Sequence, residues 1–96
     1  MLNKGTSFEG VNYTVIEKSN MGSIKLSMDI RLEHEVSEGF LATLALKLRQ
    51  DEPVKYDRMF ICYYLPEMTP GSGAWATSHF NPNLEVTILG NIEGYL

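Results

Sequence analysis

The sequence lacks the features that mark several large classes of protein. It contains a single cysteine, Cys62, so no intrachain disulfide can form. Scarcity of cysteine fits a reducing compartment. Residues 1–7 lack the apolar run of a signal peptide, and no apolar stretch approaches the length that crosses a bilayer. These absences predict a cytoplasmic protein that has no membrane partner.

Positive charge is also scarce, and it is not clustered. Eight Lys and Arg residues against twelve Asp and Glu residues give a net charge of −4, with the basic residues scattered along the chain. Affinity for duplex nucleic acid depends on neutralising backbone phosphates, so we expect no nucleic-acid partner. The 96 residues, 44% of them hydrophobic, predict one domain spanning residues 1–96. Within it, residues 1–10 are expected to be a flexible leader and residues 91–96 a tail.

Two strands and a helix are predicted in the first half of the chain. Residues 11–18 read as a short strand, and apolar and polar residues alternate without error over residues 24–33. A period of two is typical of a strand with one buried and one wet face, and it favours an antiparallel sheet. The helix that follows has Ser37 as a good N-cap, and Pro53 stops it after about 14 residues.

Three further strands are predicted in the second half. Residues 59–65 are apolar or aromatic throughout, which is typical of a central strand covered on both faces. Residues 74–80 and 84–88 form the last two strands, separated by a turn. The order β-β-α-β-β-β predicts an α+β two-layer sandwich with one helix packed on a mostly antiparallel five-stranded sheet. In this arrangement the helix covers one sheet face and leaves the other uncovered.

Part of the second half resembles a known group of sequences. The motif YYLP at residues 63–66, Met68, and GAWATSHFNP at residues 73–82 resemble a bacterial family of small α+β domains of unknown function. Those domains are similar in size to proteins carried on mobile gene cassettes. Related sequences have a glycine after the proline where this chain has Glu67, so the loop is expected to differ. The resemblance, which covers residues 24–90, implies no catalytic residue, substrate or cofactor.

The hypothesis on function rests on the sheet face away from the helix. Strand alternation over residues 74–80 places Trp75, Thr77 and His79 on that face. Some of the large aromatic residues are also expected there, among Tyr63, Tyr64, Trp75 and Phe80. We hypothesise a non-enzymatic binding or adaptor module that forms a homodimer, or binds a protein partner, through Tyr64, Trp75, Thr77 and His79. The alternative is a pocket on the same face for a small apolar or aromatic ligand, with weak acid–base chemistry through His79.

Other reactive residues have simpler explanations. Catalysis by Cys62 with His79 as base needs a thiolate, whereas a cysteine in an apolar run is usually a small buried hydrophobe. Residues 33–35, Glu-His-Glu, alternate between faces and are expected to form an exposed connection and not a metal site. The glycine-rich residues 70–73 precede a strand, which favours a turn over a phosphate loop. The alternative for the aromatic residues is that they pack in the interior and form no binding surface. The alternative for His79 is that it simply faces solvent. We predict no catalytic residue, metal or cofactor.

Overall fold

Six strands and one helix make up residues 6–90, the part of the chain that the computed structural model describes. The elements are β1 (Thr6–Phe8), β2 (Val11–Met21), β3 (Lys25–Leu32), α1 (Glu38–Asp51), β4 (Arg58–Tyr64), β5 (Ala76–Phe80) and β6 (Leu84–Ile88). The strands lie side by side in chain order. All neighbours are antiparallel except β3 and β4, which are parallel and joined by α1. One helix on a mostly antiparallel sheet confirms the predicted α+β class.

The sheet has six strands and not the five predicted, because β1 forms in the expected leader. All five predicted strands are present, with ends shifted by up to three residues. Strand β1 pairs with the start of β2. Its Phe8 ring packs edge-to-face on Phe40 of α1, with ring centroids 5.7 Å apart. A flexible leader over residues 1–10 is therefore wrong for β1. Residues 1–5 and the predicted tail at 91–96 lie outside the described residues.

Helix α1 begins and ends where the sequence predicts. Ser37 Oγ accepts a hydrogen bond from the backbone N–H of Phe40 at 3.0 Å, which satisfies a donor that the first turn leaves free. Glu38 in the first turn and Arg49 in the last both complement the helix dipole. Among the described residues, no helix combines the length and apolar character needed to cross a membrane.

The core lies between α1 and one face of the sheet, called here the helix face. Side chains of β2 to β5 meet the helix residues Leu41, Leu44, Ala45 and Leu48 on this face, and the partly buried Leu84 and Val86 of β6 pack against them. The buried strand residues on this face are Tyr13, Leu26, Met28, Ile30, Leu32, Met59, Ile61, Tyr63, Ala76, Ser78 and Phe80. Burial of each large apolar side chain contributes about 1.5–3 kcal/mol to stability.

One polar pair lies within this core. The hydroxyls of Tyr63 and Ser78 are 2.8 Å apart on neighbouring strands, and both residues are fully buried. Burial raises the pKa of the Tyr63 phenol, so it stays neutral over the ordinary pH range. Each hydroxyl satisfies the other, which avoids the cost of burying a polar group without a partner.

Candidate functional site

The sheet face opposite α1 is formed by alternate residues of β2 to β6 and is called here the open face. Strand register sets its side chains in rows across the sheet. One row contains Ser27, Phe60, His79 and Glu85, and the next contains Glu17, Asp29, Cys62, Thr77 and Thr87. The central residues of both rows, on β3 to β5, are half-buried although no helix covers them. They shield one another across the strands, since directly opposed side chains lie close together.

Two of the predicted site residues, Thr77 and His79, lie on the open face as expected. The His79 ring packs edge-to-face on Phe60, with centroids 5.4 Å apart. Lys25 Nζ lies 5.9 Å from the centroid of the same Phe60 ring. His79 is therefore part of a packed aromatic and cationic group at the middle of the sheet.

Tyr64 projects toward the open face but is covered by the loop between β4 and β5. Its hydroxyl accepts a hydrogen bond from the Gly71 N–H at 3.1 Å, and only 4% of the residue is exposed. Arg31, directly opposite Tyr64, donates from Nη1 to the carbonyl oxygens of Leu65 at 2.7 Å and Met68 at 2.5 Å. Two open-face side chains thus hold the loop over one end of this face. The sequence predicted Tyr64 as part of the binding surface. It did not predict the role of Arg31, because the alternation in β3 shows only that this residue is polar and faces away from the core.

Trp75 is not on the open face, so this part of the prediction is wrong. Strand β5 begins at Ala76, and the alternation that places Thr77 and His79 on the open face does not extend back to Trp75. Trp75 belongs to the core cluster and is 4% exposed. The Gly90 backbone lies so close to the indole that a side chain at that position would overlap it.

The expected aromatic surface is therefore largely interior. Tyr63 and Phe80 point to the helix face and pack in the core, as their cross-strand partners Ala76 and Met59 do. With Trp75 in the core as well, the half-buried Phe60 is the large aromatic ring that remains accessible in the central rows of the open face. The remaining surface is a mixture of small, polar and charged side chains.

Cys62 does not have the environment of a nucleophile. It lies opposite Thr77 and only diagonally from His79. Burial and the neighbouring Asp29 carboxylate raise the pKa of its thiol, while a hydrogen bond with Tyr64 acts in the opposite direction. A raised pKa keeps the sulfur protonated at neutral pH, whereas nucleophilic cysteines have a lowered pKa. The geometry gives no support to Cys62–His79 catalysis.

The Glu-His-Glu segment forms an exposed connection from β3 to α1. Glu33 Oε2 and Oε1 accept hydrogen bonds from the Asn12 backbone N–H at 3.2 Å and from its Nδ2 at 3.3 Å. His34 Nδ1 lies 2.8 Å from the carbonyl oxygen of Glu35. Over residues 6–90, no three His, Cys, Asp or Glu side chains are grouped as metal ligands. The hydrogen bonds of Glu33 and His34 are those of a surface connection between two elements.

A groove lies on the other side of the molecule, beside the end of α1. Its volume is about 500 Å³, and it is lined by Leu46, Arg49, Gln50, Glu52, Val54, Lys55, Tyr56 and Met59. Two smaller hollows of about 150 and 120 Å³ lie along β2 and β3. None of the three is lined by Tyr64, Trp75, Thr77 or His79. These three grooves therefore give no support to the alternative hypothesis of a ligand pocket formed by those residues.

Comparisons with known proteins give no indication of function. No family model, curated protein or solved structure matches the chain at a significant level. The resemblance to a bacterial gene-cassette family stays a prediction, and so does a cytoplasmic location.

Proposed function

We propose that the protein is a non-enzymatic binding module that forms a homodimer through the open face of its sheet. The observation that carries the proposal is the uncovered, half-buried centre of that face, where Phe60, Cys62 and Thr77 lie side by side. Two sheets that pack face to face lie about 10 Å apart and bury the side chains between them. Small residues such as Cys62 and Thr77 suit that spacing, and Phe60 supplies apolar contact area.

The charges around this centre favour a second copy of the chain over an unrelated partner. Glu17 and Asp29 are directly opposed on β2 and β3, and Lys25 and Arg58 are directly opposed on β3 and β4. Like charges in directly opposed positions are unfavourable within one chain. None of the four takes part in an ion pair with another residue of the 6–90 range. A twofold axis between the two pairs sets each acidic pair against the basic pair of the partner.

The first test is the mass in solution, measured by light scattering over a dilution series. We expect a weight-average mass near twice the 10.8 kDa of the chain, falling on dilution. Thr77→Arg places a long charged side chain at the centre of the open face and should give a monomer that keeps its circular dichroism spectrum. Thr43→Arg is the matched control, because Thr43 is exposed on α1, and it should remain dimeric. A wild-type chain that is monomeric at high concentration contradicts the proposal.

A charge-swap experiment tests the position of the axis. One variant carries Glu17→Lys with Asp29→Lys, and the other carries Lys25→Glu with Arg58→Glu. Each variant alone sets like charges against each other and is expected to be monomeric. An equimolar mixture restores complementarity and should form a heterodimer. If both variants stay dimeric, the interface lies elsewhere, and if the mixture stays monomeric, the two pairs do not face each other.

A further inference from the structure

The groove beside the end of α1 lies on the helix side of the sheet and has the composition of a small-molecule site. Its volume of about 500 Å³ falls within the usual range for ligand sites, roughly 300–1,000 Å³. Four apolar or aromatic residues line it: Leu46, Val54, Tyr56 and Met59. Leu46 is 53% and Val54 41% exposed, high fractions for aliphatic side chains. An apolar body that enters the groove therefore removes accessible hydrocarbon from water.

The polar rim of the groove is cationic, although the whole chain is acidic. Arg49 and Lys55 both line the groove, and neither forms an ion pair within residues 6–90. The rim carboxylate, Glu52, is already paired with Lys18 Nζ at 2.7 Å. The guanidinium carbon of Arg49 lies 4.6 Å from the centroid of the Phe80 ring. A stacked guanidinium can still use its N–H edge to bind an anion, since stacking occupies only its planar face.

We propose that this groove binds a monoanionic amphiphile, a carboxylate attached to an aliphatic or aromatic body. The carboxylate bonds the Arg49 guanidinium, whose two N–H groups match it in a bidentate pair, and Lys55 adds a second charge. The body packs on Leu46, Val54 and Met59. The C-terminal end of α1 carries partial negative charge close by. An anion is therefore favourable only while both cations are present, which makes binding sensitive to their removal.

Octanoate is the probe for this site, titrated into ¹⁵N-labelled protein below its micelle concentration. We expect saturable shifts of the backbone amides of Leu46, Val54, Lys55 and Tyr56, with the amides of Asp29, Thr77 and Thr87 on the open face unaffected. Octanamide has the same length without the charge and should bind about tenfold more weakly, since it cannot accept the charge-assisted hydrogen bonds that a carboxylate accepts from Arg49. Raising the salt from about 0.05 to 0.5 M should weaken octanoate and leave octanamide unchanged.

Paired variants separate the site from general charge effects. Arg49→Gln with Lys55→Gln should weaken octanoate about tenfold or more and leave octanamide binding as it was. The control is Lys47→Gln, which removes a cation from the same helix outside the groove and the open face and should leave octanoate affinity unchanged. Equal affinities for octanoate and octanamide overturn the proposal, because the groove then selects only apolar bodies. Shifts on the open face, or an equal loss in the control, overturn it as well. The outcome does not depend on dimerisation.

Discussion

Alternate residues of the same strands build the two faces of the sheet, and the two faces are stabilised differently. On the helix face, Ile61 and Tyr63 are fully buried against apolar neighbours. On the open face, the next residues along, Phe60 and Cys62, are only half-buried, although their chemistry is equally apolar. The unbroken apolar run of β4 suggested cover on both faces. Helix α1 therefore covers one face within the chain, whereas the apolar residues of the other face are covered in the dimer that we propose.

Truncation of two adjacent residues gives the largest expected difference between the faces. Ile61→Ala removes buried methyl groups from the core and should lower the free energy of unfolding by about 2–5 kcal/mol. Cys62→Ala removes only a half-buried sulfur and should cost less than about 1 kcal/mol in the monomer. Urea unfolding of both variants in the Lys25→Glu, Arg58→Glu background, which we expect to be monomeric, makes the measurement. Equal losses at the two positions would mean that the open face is covered in the monomer.

Tyr63 and Tyr64, which face opposite sides of the sheet, allow the same comparison of the two faces through the loss of a hydroxyl group. Tyr63→Phe leaves the buried Ser78 hydroxyl without its partner and should cost about 1–3 kcal/mol. Tyr64→Phe removes a hydrogen bond to a surface loop, where water can replace the hydroxyl, and should cost about 0.5–1 kcal/mol. Thermal unfolding gives both values. Adding Ser78→Ala to Tyr63→Phe should recover part of the loss, and failure to recover would contradict the role of the pair.

Arg31 is the open-face residue whose loss should be felt locally. Arg31→Met removes the donor to the Leu65 and Met68 carbonyls and should cost about 1 kcal/mol, mostly through the β4–β5 loop. Hydrogen exchange of the Gly71 amide should become faster, because the loop loses its main anchor. Arg31→Lys keeps the charge but should not restore protection fully, since an ammonium cannot reproduce the guanidinium fork. Unchanged exchange in Arg31→Met would show that Tyr64 alone holds the loop.

Local sequence signals account for the elements that were predicted well. Ser37 and Pro53 mark the ends of α1 because capping and proline geometry act over a few residues. The strict alternation over β3 gives its buried face without knowledge of its neighbours. The three-residue β1 was missed, since a segment so short is a strand only through its partner β2. The parallel pairing of β3 with β4 could not be predicted either, because the same order of elements along the chain is compatible with several strand orders in the sheet.

Prediction of the candidate site failed where tertiary contacts decide exposure. Thr77 and His79 follow from the alternation within β5. Trp75 lies one residue before that strand, and its burial depends on packing against Gly90, which no local pattern reports. Tyr64 is covered because the β4–β5 loop lies over it, held there by hydrogen bonds to Arg31 and to Tyr64 itself. The groove beside α1 joins helix and loop residues that share no sequence motif.

The smallest expected effect comes from the acidic pair of the open face, and its sign is unusual for a carboxylate. Burial and the Glu17 charge raise the pKa of Asp29 in the folded protein above its ordinary value of 3.8. The folded state then binds more protons than the unfolded state between the two pKa values, so stability falls as the pH rises through that window. Asp29→Asn should therefore stabilise the monomer at pH 7 and have little effect near pH 3, and urea unfolding at the two pH values measures the difference.

Cys62 reports the same interaction through its reactivity. Asp29 is the second cause, after burial, that raises the pKa of the thiol. In the Lys25→Glu, Arg58→Glu background, which we expect to be monomeric, Asp29→Asn should therefore raise the thiolate fraction at pH 8 and speed alkylation by iodoacetamide, while burial keeps the reaction slower than that of an exposed cysteine. Glu85→Gln is the matched control, because Glu85 is an open-face carboxylate in the row of His79 and not of Cys62. An equal acceleration in that control would mean that net charge, and not the cross-strand pair, governs the thiol.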